Sequence, residues 1–137
     1  MSGETNLARL LQSMTPQLNP GQFVFCCVPD EHDCNALQTV ASMREPEGLS
    51  LVLTREIADA HGLHYDYVAA WITLEVHSSL AAVGLTASFS AALAQAGISC
   101  NVVAGFHHDH IFVPNERAER ALSTLRALSA ASMPEPA

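Results

Sequence analysis

The sequence contains no lysine. Its six cations are all arginines, set against fourteen acidic residues for a formal net charge of −8. Without lysine there is no amine to form a Schiff base with a carbonyl substrate and no P-loop lysine to hold a nucleotide's phosphates. With so few cations and no basic stripe, nucleic acid is excluded as an expected partner. Long apolar runs are missing as well. No stretch reaches the ~18 residues that span a bilayer, and the opening MSGETNLARLLQSM has neither the basic nor the apolar region of a secretory signal. The expectation is a soluble, cytoplasmic protein with no membrane partner. Cysteine is sparse and unpatterned: Cys26, Cys27, Cys34 and Cys100 form no CxxC, so buried reduced thiols are expected. There is no G-x-S-x-G. A triad drawn from Ser78 or Ser79, His77 and Asp109 has nothing to hold it together, since neighbours on an extended strand diverge. No catalytic residue can be named, and the chain reads as non-enzymatic.

What is present is material for a core. Of 137 residues 49% are hydrophobic and 15% charged, enough for one compact unit or two very small ones packed together. Leu7, Leu10, Leu11 and Met14 recur at helical spacing behind Thr5, a candidate cap, and stop before Pro16. QFVFCCV (22–28) is apolar on both faces of a strand, the mark of a buried one. Residues 35–45 fit neither period and are assigned to a strand; GLSLVL (48–53) is a strand; TREIADAHG (54–62) is a short helix capped by Thr54. From Tyr67 to Val76 one face carries Val68, Ala70, Ile72, Leu74 and Val76, a long strand with one fully apolar side. Leu85, Phe89, Ala92, Leu93 and Ala96 mark a helix that ends at Gly97. Two strands follow, ISCNVVA (98–104) and HDHIFVP (108–114). Asn115 is placed to cap a last helix with Ala118, Ala121, Leu122, Leu125 and Leu128 in one stripe.

From residue 64 onward the order is strand, helix, strand, strand, helix. This is an α+β, ferredoxin-like βαββαβ plan without its closing strand. VFCCV is the expected closer, so an N-terminal half (1–63) and a C-terminal half (64–129) should be fused, with 130–137 a flexible tail. Ile111 and Val113 share the face of Asp109 and mark the helix side. His110 and Phe112 then fall beside Trp71 on the opposite face, whose aromatic content calls for cover by the other half or by the second subunit of a homodimer.

The run VHSSLAAVGLTASFSAALAQAGISCNVVAGFHHDHIFVPNERAERALSTL (76–125) resembles an ACT domain, through VGLTA opening its first helix, LAQAGIS closing it and DHIFVP leading into the last. PGQFVFCCVPD and EGLSLVLTREIADAHGL resemble the partner segment of short, stand-alone tandem ACT proteins, and the whole is similar to aspartokinase-type and arginine-sensor ACT domains. The resemblance implies tandem ACT-like halves, antiparallel sheets with helices on one face, and a non-enzymatic regulatory sensor. Such a sensor needs no cofactor and binds a small molecule, an amino acid in the first place, between halves or subunits. It also implies a ligand loop at Ala82, Val83, Gly84 and Leu85 and a ligand-binding Asp109; the histidines around that aspartate keep the ligand's identity from carrying over.

The residues give independent support. A glycine before a helix lets a ligand approach backbone N–H groups that carry positive partial charge, a place for a carboxylate. Asn101, next to Val102 in mid-strand, offers an amide to a carboxylate or an amine, and His108 adjoins Asp109. Thr54 and Glu56 occupy the corresponding position in the first half, where a plain helix start explains them as well. Two other readings stand beside this one. His108 and His110, with His107 between strand and turn, could begin a metal site; its other ligands would have to come from His64, His77, Cys34 or Glu75, which no motif spacing supports. Alternatively the chain is an interaction module without a ligand.

Overall fold

The alternation from Val68 onward builds the strand around which everything else is arranged. The computed structural model describes residues 6–76 and 80–132. In chain order the elements are α1 (Leu7–Ser13), β1 (Thr15–Leu18), β2 (Phe23–Val28), a 3-10 turn (Asn35–Leu37), β3 (Ala41–Glu45), β4 (Gly48–Thr54), α2 (Arg55–Ala60) and β5 (Val68–Glu75), followed by α3 (Leu85–Gln95), β6 (Asn101–Ala104), β7 (Asp109–Pro114), a second 3-10 turn (Asn115–Arg117) and α4 (Ala118–Ala131). The strands form a single antiparallel sheet in the order β3-β4-β2-β5-β7-β6. On one edge β5 pairs with β7; on the other it pairs first with β2 and then with β1.

β5 therefore belongs to two ferredoxin-like units. It closes the unit made of β2, β3, β4 and α2, in which the 3-10 turn stands where a first helix would be. It also opens the unit made of α3, β6, β7 and α4. The strand that closes the second unit is β1, and here the expectation is corrected. VFCCV contributes only the pairs Phe23–Ala69 and Val24–Val68, whereas Thr15–Leu18 covers β5 from Ile72 to Glu75. β2 spends its length on β4, with six paired residues, because that pairing lays Val24, Cys26 and Val28 over Leu51, Leu53 and Ala58.

All helices lie on one face. The larger core gathers Ile72, Leu74, Phe89, Ile111, Leu122 and Leu125 of the C-terminal unit together with Leu10, Leu11 and Met14 from the chain's beginning. At ~25 cal/mol per Å2 a fully buried leucine of this kind stabilises by about 2 kcal/mol, so α1 is held by packing, seven residues being too few for an independent helix. On the opposite face Phe23, Val52, Ala69 and Phe112 form a separate cluster against Tyr67, Trp71 and Val103.

Other expectations need adjustment. Thr5 lies outside the described residues, and the cap of α1 is Asn6, whose Oδ1 accepts from Arg9 N at 3.1 Å. Thr54 does cap α2, accepting from Ile57 N. Within 35–45 a left-handed Gln38 separates the 3-10 turn from β3, so only the second part is strand. β6 begins at Asn101, not at residue 98. Asn115 opens a 3-10 turn and makes no side-chain cap. All four thiols are free, but only Cys26 is buried; Cys27, on the other side of the same strand, is exposed.

Candidate functional site

β5 ends where β7 begins. Leu74 pairs with Asp109, which Ala104 flanks from β6. Asp109 is the one charged side chain among the described residues in the buried set, on the helix side of the sheet, and burial pushes its carboxyl pKa up while the neighbouring His110 opposes the shift. A buried, desolvated carboxylate is costly unless something cationic or hydrogen-bonding meets it.

Chain topology brings the start of α3 to this same end of the sheet. Its cap is Gly84, left-handed at φ +99°. That conformation favours glycine, and a Cβ here would sit 3.0 Å from Leu7 Cδ2 of α1, a tight contact to which the end of the leucine would have to give way. Leu85 is buried in the larger core and anchors the helix, Ala82 packs against that core, and Val83 is exposed. The loop thus divides into one solvent-facing residue and three that hold the helix start.

The remaining candidates do not all join them. Asn101 pairs with Phe112 and so faces the other side of the sheet, where it lines a small pocket of about 210 Å3 with Phe25 and Tyr67. Val102 pairs with Ile111 on the helix side. His108 adjoins Asp109, half-buried, and its Nδ1 is buried without a hydrogen-bond partner among the described residues. Thr54 and Glu56 serve as cap and first-turn acid of α2.

His110 and Phe112 lie beside Trp71 as the alternation requires, with the Trp71 and Phe112 rings stacked at 6.2 Å. Trp71 Nε1 donates to His110 Nδ1 at 3.1 Å. An indole can only donate, so this nitrogen carries no proton and the imidazole is the neutral Nε2–H tautomer. Thr73 Oγ1, also 3.1 Å away, then donates to the same nitrogen and accepts from Asn19 Nδ2 at 2.9 Å. Burial first, and the adjacent His108 second, lower the pKa of His110 in keeping with that state. The ring is committed to this network. His64 instead faces Asp66 at 3.4 Å, exposed, and His77 lies outside the described residues, as do Ser78 and Ser79. Among the described residues no group of three or more His, Cys, Asp or Glu side chains could hold one metal ion.

One feature was not among the sequence candidates. The sheet curls so strongly that Val103, on the strand at one end of the order, and Met43, on the strand at the other, line the same cleft of about 430 Å3, with Phe25 and Val52 between them. The signal for it was β2 itself, whose second apolar face had to meet something.

Two ferredoxin-like units built on one shared strand are the class that this architecture defines. The chain belongs to the ACT domain family, which it matches over residues 2–70 and again over 67–127, the two matches overlapping at the start of β5. ACT domains are regulatory units. Among solved structures, a Vibrio cholerae protein of unknown function, labelled a possible transport protein, is 49% identical with a TM-score of 0.83, over 91% of this chain and 97% of that one. A protein from Agrobacterium tumefaciens shares the fold at 19% identity and a TM-score of 0.66, over 85% of this chain and 89% of its own. The ligand-free regulatory subunit of aspartate kinase from Thermus thermophilus shares it at 9% identity and a TM-score of 0.63, over 86% and 97%. A search of the curated proteins finds no match. No helix of the described residues is long and apolar enough to cross a membrane.

Proposed function

We propose that this tandem ACT protein is a regulatory sensor that binds a zwitterionic metabolite, an amino acid in the first place. Its site is the end of the C-terminal unit, between the start of α3 and Asp109, with the other half or a second subunit completing it. The observation that carries this is the buried carboxylate of Asp109 in register with the end of β5. There it can receive an ammonium group while the N-terminus of α3 receives a carboxylate. The likeness to a regulatory subunit of aspartate kinase supports the regulatory part of the reading.

Titration of the twenty amino acids in a thermal-shift assay tests it. A ligand at 100 times its dissociation constant stabilises the native state by about 2.7 kcal/mol, which moves the midpoint by several degrees. Asp109→Asn keeps the shape and removes a charge-assisted bond, so affinity should fall by roughly 1.5–3 kcal/mol. Gly84→Val is a poor probe, because the left-handed backbone and Leu7 would penalise the fold as well. A ligand that binds Asp109→Asn as tightly as wild type would move the site elsewhere.

A further inference from the structure

The cleft on the helix-free face lies on the other side of the sheet from Asp109. Its floor and walls are Phe25, Val52, Val103 and Met43, and at about 430 Å3 it falls in the lower part of the ~300–1,000 Å3 range of small-ligand pockets. Phe25 packs edge-on against Phe112 at 5.5 Å, so the floor is rigid and apolar. Met43 on the rim is 67% exposed, a flexible thioether with no fixed packing of its own. Because both ends of the sheet line the cleft, it is concave. A flat protein surface would not reach its floor, whereas a small molecule would bury Met43 and Phe25 together.

The one charged residue of the lining, Glu45, stands at one end. Glu45 and Ser50 line the cleft there, the Ser50 hydroxyl donating to Glu45 Oε1. The pairs Glu45–Gly48 and Val28–Leu49 bring the β3–β4 turn, with Glu47, and the segment after β2, with Asp30 and Glu31, to this same end. An apolar cavity with a carboxylate at one end and more acid beyond it is complementary to an amphipathic cation. We infer that the cleft binds a small organic amine, its hydrocarbon or aromatic body over Phe25 and Val52 and its ammonium group on Glu45. Neutral molecules of the same shape lack that contact, and anionic ones in addition meet the repulsion of the acidic rim.

The experiment is calorimetry on the full chain with phenethylamine, phenethyl alcohol and phenylacetate, three molecules with one body and different heads. The amine should bind saturably, at least about tenfold more tightly than the alcohol, and phenylacetate more weakly than either. Added salt should erode the amine's advantage. Glu45→Gln retains the acceptor for Ser50 and should cost the amine roughly tenfold while leaving the alcohol unchanged. Val103→Trp should block all three by filling the cleft. Equal binding of the three probes, or amine binding that survives both variants, would overturn the inference. So would a dimer by light scattering that Met43→Glu converts to monomer, since the face would then belong to a second copy.

Discussion

His110 and Asp109 are consecutive residues with opposite effects on stability. The native His110 is neutral and its pKa is lowered, so on acidification the unfolded chain takes up the proton first. Its contribution is complete above about pH 6.5 and is lost as the pH falls below that value. Asp109 has a raised pKa, so the native state holds the proton longer and its contribution declines as the pH rises above the ordinary carboxyl value. Two outcomes follow for melting curves recorded between pH 5 and 8. His110→Ala should lower stability at neutral pH by about 0.5–1.5 kcal/mol, through the lost acceptor for Trp71, and flatten the acid-side decline. Asp109→Asn should raise the melting midpoint at neutral pH while weakening ligand binding, the pattern of a residue kept for its charge and not for the fold. A destabilised Asp109→Asn protein would show that the carboxylate is structural.

At the scale of elements, the segment formed by α1 and β1 decides whether the C-terminal unit exists. Leu10 is fully buried between α3 and α4, so Leu10→Ala should cost about 2–5 kcal/mol in chemical denaturation. Deleting residues 1–18 removes the pairs that cover Ile72 to Glu75, and the truncated chain should show no cooperative melt by circular dichroism. A truncated chain that melts like the full one would refute this role. The helix of this pair was legible in the sequence, from Leu7, Leu10, Leu11 and Met14; the strand was not. TPQL is four residues long and contains a proline, which reads as a turn, and proline is tolerated there because β1 pairs on one side alone. VFCCV looked like the closer because its apolar composition is visible while pairing partners are not. The face of β6 was hidden in the same way. Asn101 and Asp109 were grouped in one site, yet they lie on opposite faces, which only the register of β6 on β7 reveals. The helix side of β7 and the aromatic side of β5 were readable, since unbroken alternation decides them.

For the whole molecule, a strand that belongs to two units leaves neither free to unfold alone. Calorimetry should give one transition, with matching van't Hoff and calorimetric enthalpies. Leu53→Ala, fully buried with Val24, Cys26 and Ala58 under α2, should shift that transition as a whole, and Trp71 fluorescence on β5 should report the same midpoint. Two resolved transitions would show the units to be separable. The order of the chain adds a consequence in time. Gln12 Nε2 donates to Ser132 O at 2.8 Å and Ser129 Oγ to Gln12 O at 3.2 Å, so the end of α1 rests on the last described turn of the chain. During synthesis α1 must wait for the end of α4, Gln12 and its partner Ser132 being 120 residues apart. Until then Leu10, Leu11 and Met14 have nothing to bury themselves in, and the edge of β5 stands unclosed. The C-terminal unit can therefore complete itself only after α4 has been made, and until then the nascent chain carries its closing strand as a loose end.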